Sequence, residues 1–229
     1  SPLVLICSKK LLLKQAKALN EKIKFNEISK KELFLKKNFL NKLNLIDVEY
    51  NQSKAFEKIS SKSNRYIKNC FDMGLKIMKN EISNKFINGP ISKKNFLLNK
   101  YNGITEFLAH KTKTKEFAMI IFNKELSVSP ITTHLPIKYV SKKINKRKII
   151  QQVKLIDNFW KCKFNSKVKI GITGLNPHCE SVDKFNEDKK IILPVVKKLN
   201  KHKINIKGPF SADTIFTRAN RKKFNVIIG

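Results

Sequence analysis

Two histidines stand where a sheet protein would place reactive groups. His134 lies in Thr132-Thr133-His134-Leu135-Pro136 and His178 in Gly174-Leu175-Asn176-Pro177-His178, each directly after a short apolar run that reads as a strand. Loops leaving the carboxyl ends of parallel strands are where α/β sheets bind ligands. Imidazole is the commonest nitrogen ligand for Zn²⁺ and similar ions, and it carries protons near neutral pH. Two histidines do not make a metal site, which takes at least three protein ligands. The plainer alternative is a pair of loop histidines bonded to backbone. His110 and His202 stand in lysine-rich surroundings and are expected at the surface. Cys7, Cys70, Cys162 and Cys179 are scattered with no CxxC pair. That pattern suits reduced thiols of a cytoplasmic protein better than a disulfide framework or an all-cysteine zinc site.

Short apolar runs alternate with longer stretches of helical period, which predicts βα units and a mainly parallel sheet. Strands are expected at 3–7, 45–48, 168–172, 204–206 and 224–229, and a strand running into a loop at 86–90. Ser8 is placed to cap a helix over 9–19, and Ser141 to cap one carrying Ile144, Ile149, Val153, Ile156 and Trp160 inward. A single long helix is expected across 55–82, with Phe56, Ile59, Phe71 and Ile77 on its buried stripe, and another over 186–200. The runs 117–122 and 126–131, joined by Asn123-Lys124, predict an antiparallel hairpin. Two domains are expected, a first over 1–100 and a second over 101–229 that carries both histidine loops.

Forty-nine Lys and Arg against 17 Asp and Glu give a formal charge of +32. Such a charge suggests a polyanion as partner. Arginine, the usual reader of phosphates and bases, occurs only at Arg65, Arg147, Arg218 and Arg221, and the lysines are spread rather than blocked. A compositional bias decorating a solvated surface explains the charge, and nucleic acid is not the expected partner. With 41% hydrophobic residues and 16 Phe, a packed core can form, which excludes a disordered basic tail. The longest apolar runs fall short of the ~18 residues of a membrane-spanning helix. The chain opens on Ser1 and closes on Gly229 with strand-like runs at both ends, so it reads as a fragment.

Five ordered segments carry a family likeness. The two histidine loops and Gly208-Pro209-Phe210-Ser211-Ala212-Asp213-Thr214-Ile215-Phe216 resemble three signatures of the 4-hydroxythreonine-4-phosphate dehydrogenase family of pyridoxal phosphate biosynthesis. Asn88-Gly89-Pro90-Ile91-Ser92-Lys93 is similar to the family's Ala-Pro-Ile-Asn-Lys loop, and Gly103-Ile104-Thr105-Glu106-Phe107-Leu108-Ala109 to its Gly-His-Thr-Glu-Phe segment.

The resemblance implies a three-layer α/β/α, two-domain fold of the isocitrate and isopropylmalate dehydrogenase kind, incomplete in this chain. It implies a homodimer with a shared active site, in which NAD or NADP and a divalent metal serve the oxidation of 4-phosphohydroxy-L-threonine and its decarboxylation to 3-amino-2-oxopropyl phosphate. The metal, Zn²⁺, Mg²⁺, Mn²⁺ or Co²⁺, would be held by His134, His178 and a third histidine beyond Gly229, and residues 1–229 alone are expected to be inactive. A shared ion would cap the two coordinating nitrogens at roughly 4 Å apart. Thr105 is carried over as a substrate contact, whereas Ile104 replaces the family's neighbouring histidine and can neither donate from its side chain nor carry charge. Asp213 is a candidate to orient a ligand or relay a proton, with a capping role at Thr214 as the alternative. After His178 the family's small glycine-rich loop gives way to Cys179-Glu180-Ser181, and Cys179 could ligate or pack. Three rivals stay open: a dehydrogenase of D-threonate or D-erythronate 4-phosphate, a basic polyanion-binding protein, and a binding protein on an inactive enzyme fold.

Overall fold

The computed structural model describes residues 2–35, 43–182 and 184–229. The chain divides into two compact units, Ser1–Gly103 and Ile104–Gly229.

In the first unit, β1 (Leu3–Cys7) and β2 (Asn26–Glu27) flank β3 (Leu43–Asp47) in a parallel sheet of order β1-β3-β2. Ser8 ends β1 and caps α1 (Lys9–Ala18), its Oγ accepting from the Leu11 amide at 3.3 Å. The Lys9 amide donates to Asp47 Oδ1 at 2.8 Å, which places a carboxylate at the electropositive start of α1. A reciprocal Ser29–Glu32 capping box starts α2 (Lys30–Phe34). Ile28, Leu33, Ile46 and Ile77 form the core, the last contributed by α3 (Asn64–Lys79).

The helix expected across 55–82 is therefore shorter. Glu57 Oε1 accepts from the amides of Ser53 and Lys54, a local turn that competes with helical hydrogen bonding. Ile59, assigned to the buried stripe, is 70% exposed. The strand expected at 86–87 is also absent: Ile87 is exposed, and the Phe86 ring packs on Phe71 with centroids 5.7 Å apart instead of facing a sheet.

The second unit opens with α4 (Ile104–Lys111) and is built on four parallel strands in the order β4-β7-β5-β6. These are β4 (Ser127–Ser129), β5 (Ile170–Thr173), β6 (Ile206–Phe210) and β7 (Val226–Ile228). β5 and β7 are buried throughout, as expected of a sheet covered on both faces. Val226 and Ile228 face Ile149, Val153, Ile156 and Trp160 of α6 (Lys146–Phe164) and Val195, Val196 and Leu199 of α7 (Leu193–Lys201). Ile227, one residue out of phase, packs with Ile215 and Phe224 on the opposite side. The short helices α5 (Val140–Lys143), α8 (Ala212–Ile215) and α9 (Arg218–Arg221) complete this unit. Helices on both faces of a parallel sheet make the α/β/α layering expected of the chain.

Three local expectations are corrected. The hairpin reduces to one antiparallel bridge, Ile121 to Val128, while β4 gives its other edge to β7. Of residues 117–122, Ile120 packs against the core and the Phe122 ring lies 6.4 Å from that of Trp160, while Ile121 is 58% exposed. The long helix is capped by Asn145, whose Oδ1 accepts from the Lys148 amide at 2.9 Å, and Ser141 belongs to the separate α5. The helix expected over 186–200 begins as a wider π turn, Asp188–Ile192, before α7. Pro194 in the first turn of α7 has no amide proton for the ordinary helical bond.

Candidate active site

All four strands of the second unit run parallel, so their carboxyl ends share one edge. The Thr132–His134 loop follows β4, the Gly174–His178 loop follows β5, and Ser211 and Asp213 follow β6. The edge gathers the three signature segments of this unit, with β7 between the two histidine-bearing strands.

The β4 exit is fastened from two sides. Gln152 of α6 is buried, and its Nε2 donates to Ser129 Oγ at 2.8 Å and to the Pro130 carbonyl at 2.9 Å. Thr133 Oγ1 donates to Glu106 Oε1 at 3.2 Å. Glu106 lies in the first turn of α4 beside Thr105 and Ile104, so one carboxylate ties the substrate segment implied by the family likeness to the loop of His134. The second oxygen, Oε2, is buried and has no hydrogen-bond partner among the described residues.

The β5 exit is tighter. Asp188 is 0% exposed. Its Oδ1 accepts from the Leu175 amide at 2.7 Å, and its Oδ2 accepts from the Asn176 amide at 3.1 Å and from Asn176 Nδ2 at 2.9 Å. Gly174 is required here: a Cβ would lie 2.6 Å from Cys179 Sγ and 2.9 Å from Asp188 Oδ1. Cys179 thus packs back onto its own loop. Desolvation, followed by the nearby Asp188 charge, pushes its thiol above the usual range, which disfavours the thiolate a metal would need.

Both histidines are exposed, and both have left-handed backbones, φ 53° at His134 and φ 54° at His178, with Cys179 at φ 61°. Such conformations cost roughly 1–3 kcal/mol per non-glycine residue and persist only where the surroundings fix them. His178 Nδ1 stands 3.9 Å from Asp213 Oδ2. Ser211 Oγ donates to Asp213 Oδ1, which holds that carboxyl below its ordinary range, and His178 adds a smaller electrostatic contribution. The β5 and β6 loops therefore meet. Thr105 is exposed on α4, His110 is exposed in the last turn of that helix, and His202 is exposed at the end of α7.

Two imidazoles on one sheet edge, one of them beside a carboxylate, are suitable donors for a divalent ion. Among the described residues no group of three or more His, Cys, Asp and Glu gathers as a full donor set. These residues fit part of a metal site, and completion requires a further donor.

A family model described as the pyridoxal phosphate biosynthetic protein PdxA matches residues 1–229. The chain belongs to that family. A 4-hydroxythreonine-4-phosphate dehydrogenase of Sulfurihydrogenibium sp. (strain YO3AOP1) is 36% identical over 207 residues, 89% of this PdxA chain and 60% of the relative. A putative D-threonate 4-phosphate dehydrogenase of Oceanobacillus iheyensis is 27% identical and covers 98% of the chain and 69% of its own length. The PdxA chain thus spans 60% of the first relative. Among solved structures, a putative 4-hydroxythreonine-4-phosphate dehydrogenase from Salmonella typhimurium superposes with TM-score 0.84 at 22% identity, covering 100% of this chain and 72% of that one. One from Burkholderia phymatum gives 0.80 at 23%, covering 98% and 69%. These likenesses establish the fold.

Sequence reasoning passed over Glu106, Gln152 and Asp188 as site-building residues. Asp188 stands beside Lys184, Lys189 and Lys190 and reads as part of a solvated face. Nothing in the order of residues marks it, since the exposed Lys189 and Lys190 separate it from the buried Ile192.

Proposed function

We propose that the protein containing this chain oxidises 4-phosphohydroxy-L-threonine with NAD or NADP and releases CO₂ to give 3-amino-2-oxopropyl phosphate, in pyridoxal 5'-phosphate synthesis. The observation that carries this reading is the placement of His134, His178 and Asp213 on one carboxyl edge of a sheet whose whole chain matches the PdxA family. No helix among the described residues is long and apolar enough to cross a bilayer. A homodimer with a shared active site, and the cytoplasm as its compartment, complete the proposal.

Oxidation takes a hydride from the carbinol carbon to the nicotinamide and a proton from its oxygen. The new keto group is β to the carboxylate, so CO₂ departs as its bonding electrons move into the carbonyl, and a proton then replaces it on carbon. A divalent ion held by His134, His178 and a further donor would stabilise the negative charge that develops on that oxygen in both steps. Asp213, whose Oδ2 stands 3.9 Å from His178 Nδ1, is placed to orient that ring. Thr105 offers a hydroxyl to the substrate, and Glu106 keeps Thr105 and the His134 loop in a common frame.

Ile104 and the extended match to the D-threonate enzyme favour a second reading, oxidation of D-threonate or D-erythronate 4-phosphate. Assays of NAD(P) reduction by the full-length protein with each phosphorylated acid decide between them. Turnover of the amino acid substrate at the highest kcat/KM supports the first reading, and preference for a sugar acid supports the second. No reduction with any of them would overturn both and leave the polyanion-binding and inactive-fold alternatives.

A further inference from the structure

The loop that carries His178 has a support that neither the fold nor the family match assigns a role. Asp188 belongs to the turn before α7, has no exposed surface, and directs both carboxylate oxygens at the loop. Each oxygen accepts a backbone amide, from Leu175 and from Asn176, and Oδ2 also takes the Asn176 side chain. A buried carboxylate is expensive unless its lone pairs are met by good donors. Here the donors all come from the strand exit, from Leu175 and Asn176, three and two residues before His178. Asn176 Nδ2 donates as well to Glu187 Oε2 at 3.1 Å, doubling the link between turn and loop.

We propose that Asp188 is a positioning residue that holds the His178 loop in its metal-binding shape before any metal arrives. This rests on the metal-assisted dehydrogenase reading above. The physical reason lies in the backbone. His178 and Cys179 occupy consecutive left-handed conformations, which an unsupported loop would leave for extended or right-handed ones. By fixing the amides of 175 and 176, Asp188 sets the chain direction into Pro177, whose ring restricts φ, and so narrows what His178 can adopt. Gly174 supplies the space, since any side chain there would strike the Asp188 carboxylate and the Cys179 sulfur. A ligand held ready in the free protein binds its ion without the entropy loss of ordering a loop.

The test uses the full-length protein stripped of metal, with Co²⁺ as the probe. Amide hydrogen exchange at Leu175 and Asn176 should be slow in the metal-free wild type and fast in Asp188→Asn, whose amide group turns a donor toward donors. Co²⁺ affinity, followed by its visible absorption, should fall on the order of 10- to 100-fold in Asp188→Asn, with His178→Ala as the reference for losing the ligand itself. Asn176→Ala, which keeps both backbone bonds, should show a smaller loss in the same direction and covers the case in which Asp188→Asn does not fold. Rapid exchange at 175 and 176 in the metal-free wild type overturns the proposal. So does Asp188→Asn, or Asn176→Ala if that must stand in for it, binding Co²⁺ with wild-type affinity and spectrum. If the wild type and His178→Ala both fail to bind Co²⁺, the metal reading falls and takes the proposal with it, an outcome distinct from failure of the variants alone.

Discussion

If the proposed metal-assisted dehydrogenase reading holds, replacing His134 or His178 by alanine in the full-length protein should remove bound metal and turnover together, measured by elemental analysis and NAD(P) reduction on the same preparation. Full metal content and rate in either variant would end the assignment of that residue. Thr133→Val addresses the other loop. It removes the donor to Glu106 Oε1 while the second oxygen already lacks a partner among the described residues. A buried acceptor left unmet costs roughly 1–3 kcal/mol, so the urea midpoint should drop accordingly, and an unchanged midpoint would show that Glu106 finds another donor. In the first unit, burial, with Cys70 and Asp47 adding to it, pushes the Cys7 thiol from 9.0 to about 11. A raised thiol pKa means that the folded state favours the neutral form. Its contribution is therefore complete below pH 9 and is lost as pH rises through about 11. Thermal unfolding of Cys7→Ala should show a flatter decline across that window than the wild type. The two histidine loops were legible in the sequence because each follows an apolar run that forms a strand of the second sheet, whereas Thr105 was read only from the likeness of its segment to the family. Asp188 could not be read there, because only three-dimensional packing distinguishes that buried acid from the lysines beside it, and Glu106, partly buried between Thr105 and Phe107, shows its role only through the bond from Thr133.

At the level of elements, the sequence was most readable where apolar residues enter a parallel sheet. The run at 3–7 is apolar throughout, 168–172 alternates around Lys169 and Gly171, 224–229 is broken by Asn225, and the structure places strands in all three. The 4-3-4 spacing of Ile149, Val153, Ile156 and Trp160 matches the buried stripe of α6. It was least readable where apolar residues stay at the surface. Ile59 and Ile121 follow good helical and strand patterns yet remain exposed, because a local Glu57 turn interrupts one segment and the other has no free sheet edge beyond a single bridge. Gly208 offers an element-level test. At φ 136°, with any Cβ 2.4 Å from the Ile172 carbonyl oxygen, it lets β6 run close beside β5. Gly208→Ala should destabilise the second unit by more than the roughly 1–3 kcal/mol of the backbone conformation alone, since the obstructing atom is main chain. Denaturation with guanidinium gives the number, and a loss under 1 kcal/mol would mean that the two strands can separate without cost.

For the molecule as a whole, 49 basic residues face 17 acidic ones, a net charge of +32. Like charges at that density repel, and salt screens them over about 10 Å at 0.1 M. The melting temperature should therefore rise between 10 and 150 mM NaCl, and a fall would mean that attractive ion pairs outweigh the repulsion. The order of strands across the second sheet carries a consequence for how the chain folds. β4 and β5 both pair with β7, the last of the four in sequence, through contacts such as Ser127 with Val226 and Ile172 with Ile228. Synthesis delivers β4, β5 and β6 before the strand that joins them, so β4 waits on the ribosome without its neighbour. Pairings this distant along the chain are paid for in loop entropy before they return any contact, which makes closure of the sheet a late and slow event. A chain released before Val226 should lack cooperative unfolding of this unit and expose both histidine loops to proteases, while one released after Gly229 resists them.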